Sequence, residues 1–235
     1  MDRIVLHYYP GHFPCDYVDE KTGTKYGPGL LVALKGNTVL FRCPAWGGPQ
    51  TATVDDAGRP VTPTPAGTYV LRKPEPHTTK AWKLARIRWG TKIKLHPMDP
   101  TDFLFEQRPG VWLSARGAHG IQLSEVMAQQ WELYRSKELP PTWVFNPFGP
   151  LAVRFFKDKN SNRVLDKDER LQGEMFHTTP FVHSAREGEV LNPGNSHGCV
   201  HMQIEDRDRL IGFGVLKAGV ALIIHQYSEH YGVEA

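Results

Sequence analysis

The sequence predicts a mainly β domain, sandwich or barrel-like, with a few short helices and a helical insertion. Three observations carry that expectation. Short apolar runs recur between clusters of Gly, Pro, Asn and Asp, the pattern of many short strands joined by turns. Only two segments show clear helical periodicity. With 40% hydrophobic and 23% charged residues the composition is that of an ordinary globular chain, and no run approaches the ~18 consecutive apolar residues that span a membrane.

The elements follow in chain order. Residues 1–27, rich in Tyr, Gly, His and Asp, read as an irregular lead-in to a main domain over 28–228, with a tail at 229–235. Apolar runs from Leu30 and to Cys43 flank Gly36-Asn37, a hairpin signal. Thr62 to Ala66 is a Pro-rich turn feeding a strand that ends at Leu71. Further strands are expected at Thr91–Leu95, Phe103–Glu106, Val111–Ser114 and Leu151–Phe156. A helix is expected from Ser124, as N-cap, to about Lys137, its apolar side made by Val126, Trp131, Leu133 and Tyr134. Asp206–Phe213 reads as a short second helix and Val220–Ile224 as a buried closing strand. The stretch 72–145 reads as an insertion forming a lid or groove. It holds Trp82, Trp89, Trp112, Trp131 and Trp143, most of them expected in its core.

A formal charge of +3 argues against nucleic acid as a partner, while fitting an anionic polymer. The N-terminus from Met1 to Pro10 lacks the long apolar run of a secretory signal. The expectations are a signal already removed, export by another route, or retention inside the cell. Of the three cysteines, Cys15 and Cys43 are open to pairing or to burial as free thiols, and Cys199 has the reactive surroundings.

Those surroundings are specific. His183-Ser184-Ala185 is followed by Ser196-His197-Gly198-Cys199-Val200-His201. A thiol is a nucleophile only as thiolate, and a nearby imidazole is the usual means of holding it so. Cys199 is the candidate nucleophile, His183 the candidate base, and Ser184 or a carbonyl the group orienting the ring. The amides of His197, Gly198 and Cys199 are candidates for an oxyanion hole. Ser196 and His201 are candidates for substrate contact. Phe176-His177-Thr178-Thr179 supplies a rival base, His177.

Together with Thr64-Pro65-Ala66-Gly67-Thr68-Tyr69, Asn146-Pro147-Phe148-Gly149 and Gly219-Val220-Ala221-Leu222-Ile223, these blocks resemble, in order, the signature of the L,D-transpeptidase catalytic domain, or YkuD-like, family. The resemblance covers roughly residues 28–227. It implies a β-rich catalytic domain acting on peptidoglycan stem peptides in the periplasm or cell envelope, without a required cofactor or membrane insertion. The attacked bond joins the L-centre of diaminopimelate to D-Ala and gives a Cys199 thioester. An amine then yields a cross-link, water a carboxypeptidase product, and a D-amino acid an exchange product. His201 stands where the family commonly has Arg or Asn. Read with the N-terminus, the resemblance raises the expectation of an antibacterial effector, with an immunity or secretion partner unidentified.

Two other readings stay open. His197, Cys199 and His201 in alternation are zinc-type ligands, and a wall-binding module without turnover keeps the same fold. A separate motif lies at Asp158-Lys159-Asn160-Ser161-Asn162-Arg163-Val164-Leu165-Asp166-Lys167-Asp168-Glu169. Asp158, Asn160, Asn162, Val164 (through its carbonyl), Asp166 and Glu169 occupy the ligand positions of a calcium loop of the EF-hand type, with Arg163 where glycine makes the sharp turn. Two readings stay open there, structural calcium and a solvated polar loop between two strands.

Overall fold

The structure is a computed structural model. It describes residues 3–13, 17–18, 25–26, 28–55, 58–179 and 196–232, with the backbone alone at 17–18 and 25–26. The described strands are β1 (Ile4–Tyr9), β2 (Tyr17–Val18), β3 (Lys25–Tyr26), β4 (Gly29–Lys35), β5 (Thr38–Ala45), β6 (Thr53–Val54), β7 (Pro60–Val61), β8 (Gly67–Leu71), β9 (Ile93–Leu95), β10 (Phe103–Arg108), β11 (Val111–Ser114), β12 (Ala152–Phe156), β13 (Leu171–His177), β14 (Val200–His201) and β15 (Ala221–Ile224). The α-helices are α1 (Ala115–His119), α2 (Leu123–Tyr134) and α3 (Ile204–Gly212). The protein is therefore mainly β. The chain divides into two compact units, one of 1–74, 153–177 and 192–235, the other of 75–152 and 178–191.

The first unit is built on an eight-stranded mixed sheet in the order β14-β13-β12-β8-β15-β1-β4-β5. Strands β1 and β15 pair in parallel, as do β13 and β14, while β4 runs antiparallel to both β1 and β5. Its two edges meet. Trp46, just past β5, and His201 of β14 exchange backbone hydrogen bonds of 2.9 and 2.8 Å. Joining the edges satisfies backbone groups that would otherwise be open to pairing, and it curls the sheet into a barrel. Alternate residues fill the interior, as the two-residue period of a strand requires. They are Leu6 and Tyr8, Leu31 and Ala33, Tyr69 and Leu71, Val153 and Phe155, Leu222 and Ile224, all in one buried cluster with Phe176, Val200 and Leu210 of α3.

One expectation changes here, and one of two open readings is met. The first 27 residues are not wholly irregular, because Ile4–Tyr9 forms a central strand with Leu6 and Tyr8 fully buried. Cys43 is a free thiol sealed in this core, pushed up by burial and by the nearby charge of Asp206. Cys15 lies outside the described residues.

The second unit has its own core of Ile87, Ile93, Phe103, Phe105, Val126, Leu133, Trp143 and Phe145 beside the antiparallel sheet β11-β10-β9. Helix α2 begins one residue before Ser124, because Glu125 accepts a 2.9 Å hydrogen bond from the Gln122 amide and closes the first turn there. It ends at Arg135, which takes φ 53°. Of the five tryptophans named above only Trp143 is fully buried, stacked on Phe103 with its indole N–H on the Leu84 carbonyl at 3.0 Å. Trp82 and Trp131 are about half exposed, at 45% and 49%. Asp102, 2% exposed, anchors the turn into α1, accepting from Ser114 Oγ at 2.5 Å and from the amides of Phe103 and Arg116 at 2.8 and 3.1 Å.

Candidate active site

Cys199 stands immediately before β14, and the parallel register Phe176↔Val200 and His177↔His201 sets it beside Met175 of β13. Val200 turns into the core, so Cys199 and His201 take the opposite face, by the alternation of a strand. Four influences act on the sulfur. Burial is the largest and raises the thiol; the Met175 amide directed at it lowers it, the Glu174 carboxylate raises it and the Arg154 guanidinium lowers it. The net result is a thiol pushed up to about 11. Among the described residues no imidazole contributes. The thiolate expected of the sequence requires an imidazole beside this sulfur. His183 and Ser184 lie outside the described residues.

The Ser196–Cys199 segment is held by hydroxyl groups. Thr62 Oγ1 donates to the His197 carbonyl at 3.1 Å, Thr64 Oγ1 to the Gly198 carbonyl at 3.0 Å, and Ser196 Oγ to the Cys199 carbonyl. Thr64 Oγ1 also accepts from the Gly48 amide at 3.0 Å, and Tyr227 Oη donates to the Gly48 carbonyl at 2.7 Å. Gly198 has φ 113°, a conformation that favours glycine. A Cβ there would lie 3.1 Å from Glu174 Cγ and 3.2 Å from Thr62 Oγ1. Gly48 is packed closer still, since its Cβ would sit 1.9 Å from the Thr62 carbonyl oxygen.

This scaffold revises several sequence-level roles. Ser196 is 1% exposed and its hydroxyl is spent inside the turn, accepting from the Gly198 amide at 3.1 Å as well as donating. The Gly198 amide is thereby committed, leaving those of His197 and Cys199 as oxyanion candidates. The His197 ring reaches Asp55, Nε2 to Oδ2 3.1 Å. His201 is buried, its ring edge-on to that of His177 with centroids 4.5 Å apart, and His177 is buried too. Among the described residues no three His, Cys, Asp or Glu side chains converge as a metal centre requires, so the alternating His197, Cys199 and His201 do not form a ligand set.

Sequence reading missed Thr62, Gly48, Tyr227, Arg154 and Glu174. Thr64 was visible only as part of a turn motif. The contacts of Thr64 and Tyr227 span 134 and 179 residues of chain, and no local pattern signals them.

Residues 29–220 match the family model of the YkuD L,D-transpeptidase catalytic domain. The chain belongs to that family of peptidoglycan-acting enzymes. No curated protein and no solved structure matches it. No described helix is long and apolar enough to cross a membrane.

Proposed function

We propose that the protein is a peptidoglycan-modifying cysteine acyltransferase with Cys199 as nucleophile. One observation carries the choice of residue. Of the two cysteines the structure describes, Cys43 is sealed in the core, whereas Cys199 is partly exposed in the family's motif segment, with an amide and a guanidinium acting on its sulfur. The donor is a stem peptide cut between the L-centre of diaminopimelate and D-Ala, in the cell envelope. Sulfur bonds to the carbonyl carbon as its proton passes to an imidazole. The carbonyl oxygen becomes an oxyanion facing the amides of His197 and Cys199. Collapse breaks the C–N bond, and the imidazole returns its proton to the departing D-Ala amine, leaving a thioester. His183 is the proposed base, on its spacing to Cys199 and its Ser184-Ala185 context; His177, its ring packed against His201, is the second choice. An incoming amine, water or D-amino acid then releases the acyl group.

The test is incubation with a disaccharide-tetrapeptide followed by mass spectrometry, which separates dimer, tripeptide and exchanged products. Cys199→Ala must abolish all three; undiminished product from that variant overturns the assignment. Activity lost to iodoacetamide but kept in a chelator separates the thiol from a zinc reading, and binding without product marks a non-catalytic wall module. For the effector reading, the chain directed to the periplasm of a Gram-negative host arrests growth and the Cys199→Ala form does not.

A further inference from the structure

We propose that the loop from Asp158 to Glu169, between β12 and β13, is a calcium site. It is independent of the chemistry at Cys199. The sequence places oxygen ligands at positions 1, 3, 5, 9 and 12 of a twelve-residue loop, with the Val164 carbonyl at position 7. Arg163, at the position normally given to glycine, takes the left-handed conformation that position demands, φ 63°. Its amide donates to Asp158 Oδ2 at 2.8 Å and its guanidinium is engaged by the Gly219 carbonyl at 3.2 Å.

What points to a ligand is one carboxylate oxygen of the loop left without a partner. Asp158 is half-buried and its Oδ2 accepts from Arg163, but its Oδ1 is shut off from solvent and has no hydrogen-bond partner among the described residues. A dehydrated, unpaired carboxylate oxygen is costly, and an ion is one of the few groups that satisfies it. Glu169, at position 12, is only 6% exposed. Its two oxygens accept from the Lys159 amide at 2.6 Å and the Asp166 amide at 3.0 Å, and no described cationic side chain pairs with it. Lys159 pairs with Asp168 within the loop, and the Arg163 guanidinium donates to the Gly219 carbonyl.

In the arrangement described, the carboxylates do not yet converge on one point. The side-chain amides of Asn160 and Asn162 donate to Asp166 Oδ2 at 2.6 and 2.8 Å, occupying the oxygen a cation would take. Binding turns those two amides over, replacing two N–H donors on Asp166 by one ion and presenting two more oxygens to it. An all-oxygen set with a carboxylate available for bidentate binding suits Ca²⁺ better than the smaller, rigidly octahedral Mg²⁺.

The test uses the full chain freed of metal by chelator and dialysis. Titration calorimetry with CaCl₂ should give one ion per chain. Thermal melting at a hundredfold excess over Kd should rise by roughly 5–10 °C, with a much smaller rise in MgCl₂. Asp158→Asn and Glu169→Gln should each weaken binding at least about tenfold, with Asn160→Ala as the milder variant if either fails to fold. Absence of both heat and melting shift in the wild type at about 10 mM Ca²⁺, beyond the weakest loops of this kind, overturns the proposal. So does an equal shift in a folded variant. Neither result bears on Cys199, since both are read without substrate.

Discussion

The state of the Cys199 thiol is the most decisive quantity to measure. Burial and Glu174 push it up to about 11 against the opposing pull of the Met175 amide and Arg154, from an ordinary value of 9.0. That difference corresponds to about 2.7 kcal/mol against the thiolate. At pH 7 such a sulfur is ionised in about one molecule in 10⁴, too few for fast acyl transfer. If His183 takes the proton, the apparent midpoint falls toward the imidazole range and the thiolate fraction at pH 7 rises on the order of a thousandfold. The assay is the rate of iodoacetamide alkylation at Cys199 from about pH 5 to 11, read by peptide mass spectrometry, with buried Cys43 as internal reference. Wild type should reach its plateau near neutrality. His183→Ala should return the midpoint to the value set by burial, losing about 10³ in rate at pH 7. Glu174→Gln removes a negative charge and lowers the midpoint; Arg154→Gln removes a positive one and raises it. A wild-type midpoint near 11 that His183→Ala leaves unmoved refutes the reasoning, and a collapse in His177→Ala alone transfers the role.

Further outcomes follow from the scaffold. Thr64→Val strands the Gly48 N–H and the Gly198 carbonyl, at about 1–3 kcal/mol for each buried unsatisfied group, a loss read by urea unfolding. It should lower kcat more than it raises KM, and unchanged kcat would remove Thr64 from the positioning scheme. Gly48→Ala forces a Cβ to 1.9 Å from a backbone oxygen, so it should yield little soluble protein, whereas Gly58→Ala, where a Cβ meets nothing within 4 Å, should lose only the modest cost of its φ of 73°. Burial acts to raise Asp102, but the Ser114 hydroxyl, the Arg116 and Phe103 amides and the Arg116 charge outweigh it and hold the carboxyl below 3.8. Because the folded value is the depressed one, its stabilisation is complete above the unfolded value and fades as pH falls through the folded one. Asp102→Asn should flatten that acid limb, followed by Trp143 fluorescence in urea melts, and an identical limb in both proteins would deny Asp102 the role.

Sequence patterns revealed those elements whose cause is local. The hairpin of β4 and β5, strand β11 and the closing strand β15 emerge nearly as expected, because apolar runs bounded by turn residues are sufficient to define them. Strand β1 was obscured by composition. The Tyr, Gly, His and Asp of residues 1–27 read as an irregular lead-in, although Leu6 and Tyr8 alternate with His7 and Tyr9 and fill the barrel. Strand β13 carries Gly173 and Glu174 in its middle and buries only Met175, Phe176 and His177, so its identity rests on pairing with β12 on one side and β14 on the other. The thiol was legible from its neighbours, but the influence of burial, Arg154 and Glu174 on it was not, since both charges stand on other strands.

The hydroxyls around Cys199 explain how this turn can be both strained and useful. Three successive carbonyls, of His197, Gly198 and Cys199, are each bound by a hydroxyl, of Thr62, Thr64 and Ser196. In a trans peptide the N–H of the next residue points opposite the carbonyl. Fixing the Gly198 carbonyl on Thr64 therefore fixes the Cys199 amide in the reverse direction, and the peptide plane cannot turn without breaking that bond. An oxyanion donor works because it is aimed before charge develops, so that no reorganisation is needed at the moment of attack. The positive φ of Gly198 is the conformational cost of that aim, and glycine bears it with least strain. It follows that Thr64 and Gly198 should act on the rate of acyl transfer while touching neither thiol nor substrate, and that restoring a hydroxyl at position 64 with Thr64→Ser should recover most of what Thr64→Val loses.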